Sequence, residues 1–136
     1  MDKILTTNIH DLFMSRAIEL AKQGRGQVSP NPMVGCILVQ DGDIIGEGYH
    51  EVFGGPHAEI MALRNARKDP LDSIAYINLE PCCITGKTPP CTNTLIENGI
   101  SEVFIGMLDP NPEVNGKGVE ALTKAGIMTH VGILED

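Results

Sequence analysis

The chain has 136 residues, of which 42% are hydrophobic, and this length suits one domain with a buried core. Its 18 acidic and 10 basic side chains give a net charge of −8, which argues against nucleic acid as a partner and leaves room only for a small basic pocket. No stretch is long and apolar enough for a membrane span or an export signal, so we expect a cytoplasmic protein without membrane contact.

The first half of the chain predicts a helix followed by a β-hairpin. Apolar side chains recur at helical spacing over residues 8–23, and Gly24 ends this helix. A proline-rich loop follows over residues 24–32. The apolar runs 34–39 and 44–47 then flank Asp41 and Gly42, a dipeptide typical of two-residue hairpin turns.

In the second half of the chain, helices alternate with strands. The predicted elements are a helix over 57–67, a strand over 74–79, a helix over 91–97, a strand over 103–107, a helix over 117–124 and a strand over 127–131. Together with the hairpin, this alternation predicts a single three-layer α/β/α domain over residues 1–136. Its helices are expected to cover both faces of a mixed five-stranded sheet.

Three side chains that could hold a metal lie at the ends of these predicted elements. His57 begins one helix, Cys82 follows the C-terminal end of a strand, and Cys91 begins another helix. One histidine and two cysteines leave a tetrahedral Zn²⁺ one open position for water, whereas a closed structural site needs a fourth protein ligand. A bound metal lowers the pKa of this water to about 7. Glu59 lies two positions after His57, and its carboxylate is the natural carrier of the proton that the water releases.

The other two cysteines are expected to have different roles. Cys36 lies within the apolar run 34–39, where a cysteine usually packs as a small hydrophobic side chain. Cys83 adjoins Cys82, and adjacent residues at a strand end point in opposite directions, so both cannot easily bind one ion. We favour Cys82 as the ligand because it follows Pro81 directly.

Several motifs carry a specific resemblance that covers residues 11–134. They are SPNPMVG (29–35), GYH (48–50), GGPHAE (54–59), LEPC (79–82), GKTPPC (86–91), DPNP (109–112) and GKG (116–118). The pair H-x-E and P-C…C is the signature of zinc deaminases, in which the two cysteines are commonly closer together. Here eight residues separate them. With this spacing, the chain resembles the deaminase domain of bacterial riboflavin-biosynthesis proteins, within the cytidine-deaminase-like superfamily.

The resemblance implies a zinc-dependent hydrolase that removes an exocyclic amine as ammonia. Its implied substrate is the phosphoribosylated diaminopyrimidinone intermediate of riboflavin biosynthesis. Zn²⁺ would be held by His57, Cys82 and Cys91, while Glu59 would shuttle protons. The resemblance also places five side chains around the pyrimidine and the ribose phosphate: Asn31, His50, Lys87, Asp109 and Asn111. Relatives with this fold pack as dimers or tetramers, so we expect a homo-oligomer.

The sequence departs from the family pattern at Ile84, where relatives usually have a histidine. Bifunctional relatives also continue into a reductase domain, whereas the 136 residues are expected to hold only the deaminase. Lys117 lies between two glycines at a helix start, a position that favours the binding of an anion. We nevertheless expect its side chain simply to be exposed to solvent. Two alternatives stay open: a deaminase of another base, nucleoside or nucleotide, and a non-catalytic zinc module with a fourth ligand such as Cys83.

Overall fold

Five strands form one sheet in the computed structural model, which describes residues 9–29, 32–83 and 90–133. They are β1 (Gly35–Gln40), β2 (Asp43–Tyr49), β3 (Ile74–Leu79), β4 (Glu102–Met107) and β5 (Met128–Val131). Their order across the sheet is β2-β1-β3-β4-β5. β1 pairs antiparallel with both β2 and β3, whereas β3, β4 and β5 are parallel neighbours. The prediction of a mixed five-stranded sheet is confirmed.

The hairpin between β1 and β2 turns where the sequence predicts it. Gln40 pairs with Asp43, so that only Asp41 and Gly42 lie between the strands. Both have positive φ angles, 53° and 83°, which a two-residue turn of type I′ requires. The strand β2 continues to Tyr49, two residues beyond the predicted end at residue 47.

The described residues form four helices, arranged as one helix on one sheet face and three on the other. They are α1 (Ile9–Lys22), α2 (Ala58–Arg64), α3 (Cys91–Glu97) and α4 (Lys117–Lys124). Met14 and Ala17 of α1 share a buried cluster with Ile37 and Tyr76 of the sheet. On the opposite face, α2, α3 and α4 pack over a second cluster that includes Leu38, Ile77 and Ile105. The three-layer architecture is therefore confirmed.

The helix α2 ends earlier than expected. The sequence predicts a helix over 57–67, but the helical residues are Ala58–Arg64, with His57 as the N-cap and Asn65 as the C-cap. The prediction is wrong at this end because the backbone N–H of Arg67 donates to the carbonyl oxygen of Ile45 in β2, at 2.9 Å. The chain therefore leaves the helix to contact the sheet. None of the described helices has the length and apolar character needed to cross a bilayer.

A close contact between α2 and β2 places the start of α2 beside the end of the hairpin. A Cβ atom on Gly48 would lie 2.3 Å from the backbone nitrogen of Ala62 and 2.7 Å from the carbonyl oxygen of Ala58. These distances are too short for any side chain, so glycine lets the helix backbone rest directly on the strand. This packing sets the start of α2, and the ring of its N-cap residue His57 lies edge-on to that of His50.

Candidate active site

Three metal-binding side chains converge at the ends of three separate elements. His57 caps α2, Cys82 follows β3 by three residues, and Cys91 is the first residue of α3. One ligand atom from each lies within 4.8 Å of the others. Nδ1 of His57 is 3.3 Å from Sγ of Cys91 and 3.8 Å from Sγ of Cys82. The structure therefore brings together the three residues that the sequence singles out.

The spacing of these donor atoms fits a zinc ion. In tetrahedral sites, Zn–N and Zn–S bonds of about 2.0–2.3 Å place a nitrogen and a sulfur donor about 3.5 Å apart. The two nitrogen–sulfur distances here, 3.3 and 3.8 Å, lie on either side of that value. Cys83 is not a member of the converging group, and Cys36 is fully buried in the core. Three donors would leave one position of a tetrahedral ion open.

The two thiols of the site have opposite tendencies to ionise. Hydrogen bonds lower the pKa of Cys82 to about 4, the largest effect coming from the Cys91 side chain and a smaller one from His57. The backbone N–H of Cys91 also donates to the Cys82 sulfur, at 3.2 Å. The pKa of Cys91 is raised instead, because its thiol hydrogen bonds to Cys82 and burial favours the neutral form. The pair therefore releases its first proton more readily than its second.

Glu59 adds a buried carboxyl group to the same site. It is the second residue of α2 and is 3% exposed. Burial is the main cause that raises its pKa to about 7, with a smaller contribution from the charge of Cys82. A carboxyl group that titrates near neutrality can both accept and donate a proton under physiological conditions.

Three of these residues, His57, Glu59 and Cys82, border a cavity of about 150 Å³. A cavity of about this size accommodates one benzene-sized ring. Its walls combine apolar side chains with the polar site residues, and they are formed by Pro32, Val34, His50, His57, Ala58, Glu59, Leu79, Cys82 and Asp109. The cavity is thus large enough for one small ring beside the metal-binding group.

His50 lies on the cavity wall with a defined orientation. Its side chain is buried, and its ring meets that of His57 edge-on, with 5.4 Å between centroids. Nδ1 is 3.0 Å from the carbonyl oxygen of Pro56. Because a carbonyl oxygen can only accept, Nδ1 is the donor in this hydrogen bond, which fixes the orientation of the ring.

The five predicted substrate contacts differ in where the structure places them. His50 and Asp109 line the cavity. Asn111 is exposed and is not part of the wall; its Oδ1 accepts the N–H of Glu113 at 3.0 Å, within its own loop. Asn31 and Lys87 lie outside the described residues, as does Ile84.

Two polar groups near the site, one half-buried and one buried, were not predicted. Asn78 of β3 accepts the backbone N–H of Gly35 at 2.8 Å and donates to the carbonyl oxygen of Met33 at 3.1 Å, which holds the segment that carries Val34. Glu80 is 3% exposed and accepts several backbone N–H groups. The available signal was a polar or acidic residue at the end of an otherwise apolar strand, directly before the proline and cysteine of the site.

Comparison with known proteins identifies the family. Residues 7–107 match the family model of the cytidine and deoxycytidylate deaminase zinc-binding region. The riboflavin biosynthesis protein RibD of Actinobacillus pleuropneumoniae is 52% identical over 91% of this chain and 33% of its own length. A diaminohydroxyphosphoribosylamino-pyrimidine deaminase of Buchnera aphidicola is 52% identical over 90% of this chain and 83% of its own length.

A solved structure agrees with these matches. The crystal structure of a diaminohydroxyphosphoribosylaminopyrimidine deaminase/5-amino-6-(5-phosphoribosylamino)uracil reductase from Thermotoga maritima superposes with a TM-score of 0.89 at 53% identity, over 93% of this chain and 37% of that one. The chain spans about a third of the length of the RibD relatives it matches. The predicted resemblance, fold and zinc dependence are confirmed at the level of the family. On its sequence, its sheet and its zinc-binding region, the chain belongs to the cytidine and deoxycytidylate deaminase family.

Proposed function

We propose that this chain hydrolyses the exocyclic amine of the phosphoribosylated diaminopyrimidinone of riboflavin biosynthesis and releases ammonia. The observation that carries the proposal is the convergence of His57, Cys82 and Cys91 beside a cavity of about 150 Å³ that also contains buried Glu59. The high identity to a stand-alone deaminase of that name supports the choice of substrate.

In the proposed mechanism, different residues bind the metal and transfer the proton. His57, Cys82 and Cys91 would hold Zn²⁺, which when bound supplies a Lewis acid that lowers the pKa of water to about 7. Glu59 would take up one proton of the attacking water and deliver it to the ring nitrogen next to the reacting carbon. It would then take the second proton from the hydroxyl now bound to that carbon and deliver it to the amine, so that the C–N bond breaks, ammonia leaves and the hydroxyl oxygen becomes a carbonyl oxygen. Burial of Glu59 keeps bulk water away from the carboxyl group and so favours this transfer.

The remaining wall groups would orient the substrate ring. Val34 and Leu79 would provide apolar contacts, while the His50 ring and the Asp109 side chain would provide polar contacts to the amino and N–H groups of a diaminopyrimidinone. We also propose Asn31 and Asn111 as amide contacts to the ring or ribose, and Lys87 as the cation for the phosphate.

We further propose that the enzyme acts in the cytoplasm as a homo-dimer or homo-tetramer. The support for an assembly is the family resemblance, because relatives with this fold commonly pack as dimers or tetramers. Light scattering coupled to size-exclusion chromatography measures the state directly. A single-chain mass at micromolar concentration would contradict the proposal.

The test is ammonia release measured on a sample whose zinc content is determined in parallel. The phosphoribosylated diaminopyrimidinone is compared with cytidine, cytosine and guanine under the same conditions. We expect rapid release from the first compound and little from the others. Faster release from one of the other three would favour the alternative deaminase. No release from any of them by a zinc-loaded sample would favour the non-catalytic module.

A further inference from the structure

One buried carboxylate outside the proposed ligand set accepts four backbone hydrogen bonds. Oε1 of Glu80 accepts the N–H groups of Asp109 and Gly116, both at 3.0 Å. Oε2 accepts those of Gly118 at 2.8 Å and Val119 at 3.1 Å. Hydrogen bonds to an ionised acceptor are about twice as strong as neutral ones. Glu80 therefore holds these backbone segments firmly.

The four donors belong to two separate segments of the chain. Asp109 follows β4 and lines the site cavity, whereas Gly116, Gly118 and Val119 surround the first turn of α4. Glu80 itself stands two residues before Cys82, and its own N–H donates to the carbonyl oxygen of Met107 at 3.0 Å. One side chain thus joins the segment that carries a proposed zinc ligand to the loop that carries a proposed substrate contact.

The glycines of the GKG motif make this arrangement possible. A Cβ atom on Gly118 would lie 2.3 Å from the carbonyl oxygen of Pro81 and 3.1 Å from Oε2 of Glu80. Any side chain there would push α4 away from the Glu80 segment. The N–H groups at the start of α4, which suit an anion, are therefore directed at an anion of the chain itself.

We propose that Glu80 is a positioning residue for substrate binding, which acts by fixing Asp109 relative to the zinc site. The proposal rests on the proposed function, because it concerns where the Asp109 carboxylate meets the ring. The backbone of Asp109 is held on both sides, since its N–H donates to Glu80 and its carbonyl oxygen accepts Nδ2 of Asn115 at 2.9 Å. Removing the Glu80 contact frees one side of this residue while leaving His57, Cys91 and Glu59 in place.

The variant Glu80→Gln tests this role with little change in volume. An amide offers one acceptor oxygen and turns an NH₂ donor toward two of the four N–H groups, so part of the set loses its acceptor. We expect KM for the diaminopyrimidinone substrate to rise about tenfold or more, the size of effect typical when the support of a site residue is lost. The turnover number and the zinc content should change much less, because the groups that react stay in place.

The matched control is Glu120→Gln on α4. This glutamate lies in the first turn of the same helix, but its side chain is 66% exposed and pairs with Lys124. The control should leave KM and turnover at wild-type values. A Glu80→Gln variant with a lower melting temperature but unchanged KM would show that Glu80 only stabilises the fold, and would overturn the proposal.

A double-mutant cycle identifies the residue through which Glu80 acts. If Glu80 works by fixing Asp109, then Glu80→Gln raises KM little further in an Asp109→Ala background. If the two residues act independently, the two fold-increases in KM multiply. A full additional increase in that background would contradict the proposal. If Glu80→Gln does not fold, Glu80→Asp retains the charge with a shorter reach and should raise KM in the same way, by a smaller factor.

Amide exchange separates this proposal from the proposed function. If the zinc-loaded wild type releases no ammonia from the diaminopyrimidinone, the proposed function fails, but the exchange rate of the Asp109 N–H still reports its contact with Glu80. We expect that rate to be slow in the wild type and in Glu120→Gln, and clearly faster in Glu80→Gln. Equal rates in all three proteins would overturn the positioning role whatever the substrate is.

Discussion

Nδ1 of His57 lies 3.3 Å from the sulfur of Cys91, although the two residues are 34 positions apart in the chain. This contact joins the N-cap of α2 to the first residue of α3. Neither helix is longer than seven residues, so each depends on packing for its stability. A metal held between their ends would therefore support the fold as well as the chemistry.

Replacing Cys91 should remove the metal. In Cys91→Ala only His57 and Cys82 remain of the converging donors, and two ligands hold Zn²⁺ far more weakly than three. We expect the purified variant to contain little zinc after dialysis against a chelator and to melt at a lower temperature. Zinc is measured by elemental analysis. The control is Cys83→Ala, which should keep its zinc; equal metal loss in both variants would contradict the assignment.

Replacing Glu59 should separate metal binding from turnover. Glu59→Gln keeps the size of the side chain and leaves the three donor atoms intact, but an amide cannot carry the proton. We expect full zinc content and a loss of turnover of at least about a hundredfold, the lower range for general acid–base catalysis. The measurement is ammonia release per zinc ion. Turnover close to that of the wild type would disprove the role of Glu59.

The pKa of Glu59 predicts how the stability of the metal-free protein depends on pH. Burial raises this pKa from 4.5 to about 7, so the folded protein favours the protonated form. The associated stability is fully present below pH 4.5 and is lost as the pH rises to about 7. A pKa difference of this size corresponds to about 3 kcal/mol.

Chemical denaturation of the chelator-treated protein measures this effect. Relative to Glu59→Gln, which does not titrate, the wild type should lose about 3 kcal/mol of unfolding free energy between pH 4.5 and pH 7. A difference between the two proteins that stays constant over this pH range would show that Glu59 keeps an ordinary pKa in the fold.

Substituting Gly48 should displace the start of α2. The added Cβ of Gly48→Ala would lie 2.3 Å from the backbone nitrogen of Ala62, so the helix must shift away from β2. We expect a loss of about 1–3 kcal/mol in unfolding free energy, as in other overpacked interiors, together with weaker zinc binding through His57. Urea denaturation and zinc competition measure the two effects. The exposed Glu51→Ala serves as a control, and equal stability of both variants would refute the prediction.

Local sequence signals were sufficient for most of the secondary structure. The strand 74–79 and the helices 91–97 and 117–124 occur at their predicted bounds, because apolar runs, Pro90 and the glycines around Lys117 act within a few residues. The end of α2 was not predictable in this way. It depends on a hydrogen bond from Arg67 to Ile45, a residue on a different element.

The sequence by itself determined the family and the residue types of the site, since histidine, glutamate and two cysteines at this spacing point to one chemistry. The specific substrate contacts proposed for Asn31, His50, Lys87, Asp109 and Asn111 stay predictions. Only the tertiary structure decided which strands pair in the sheet and which groups the Glu80 carboxylate contacts. Its partners lie 29 to 39 residues further along the chain, and no local pattern specifies a contact at that distance. The parallel pairing of β3 with β4 and the packing of α4 create that contact.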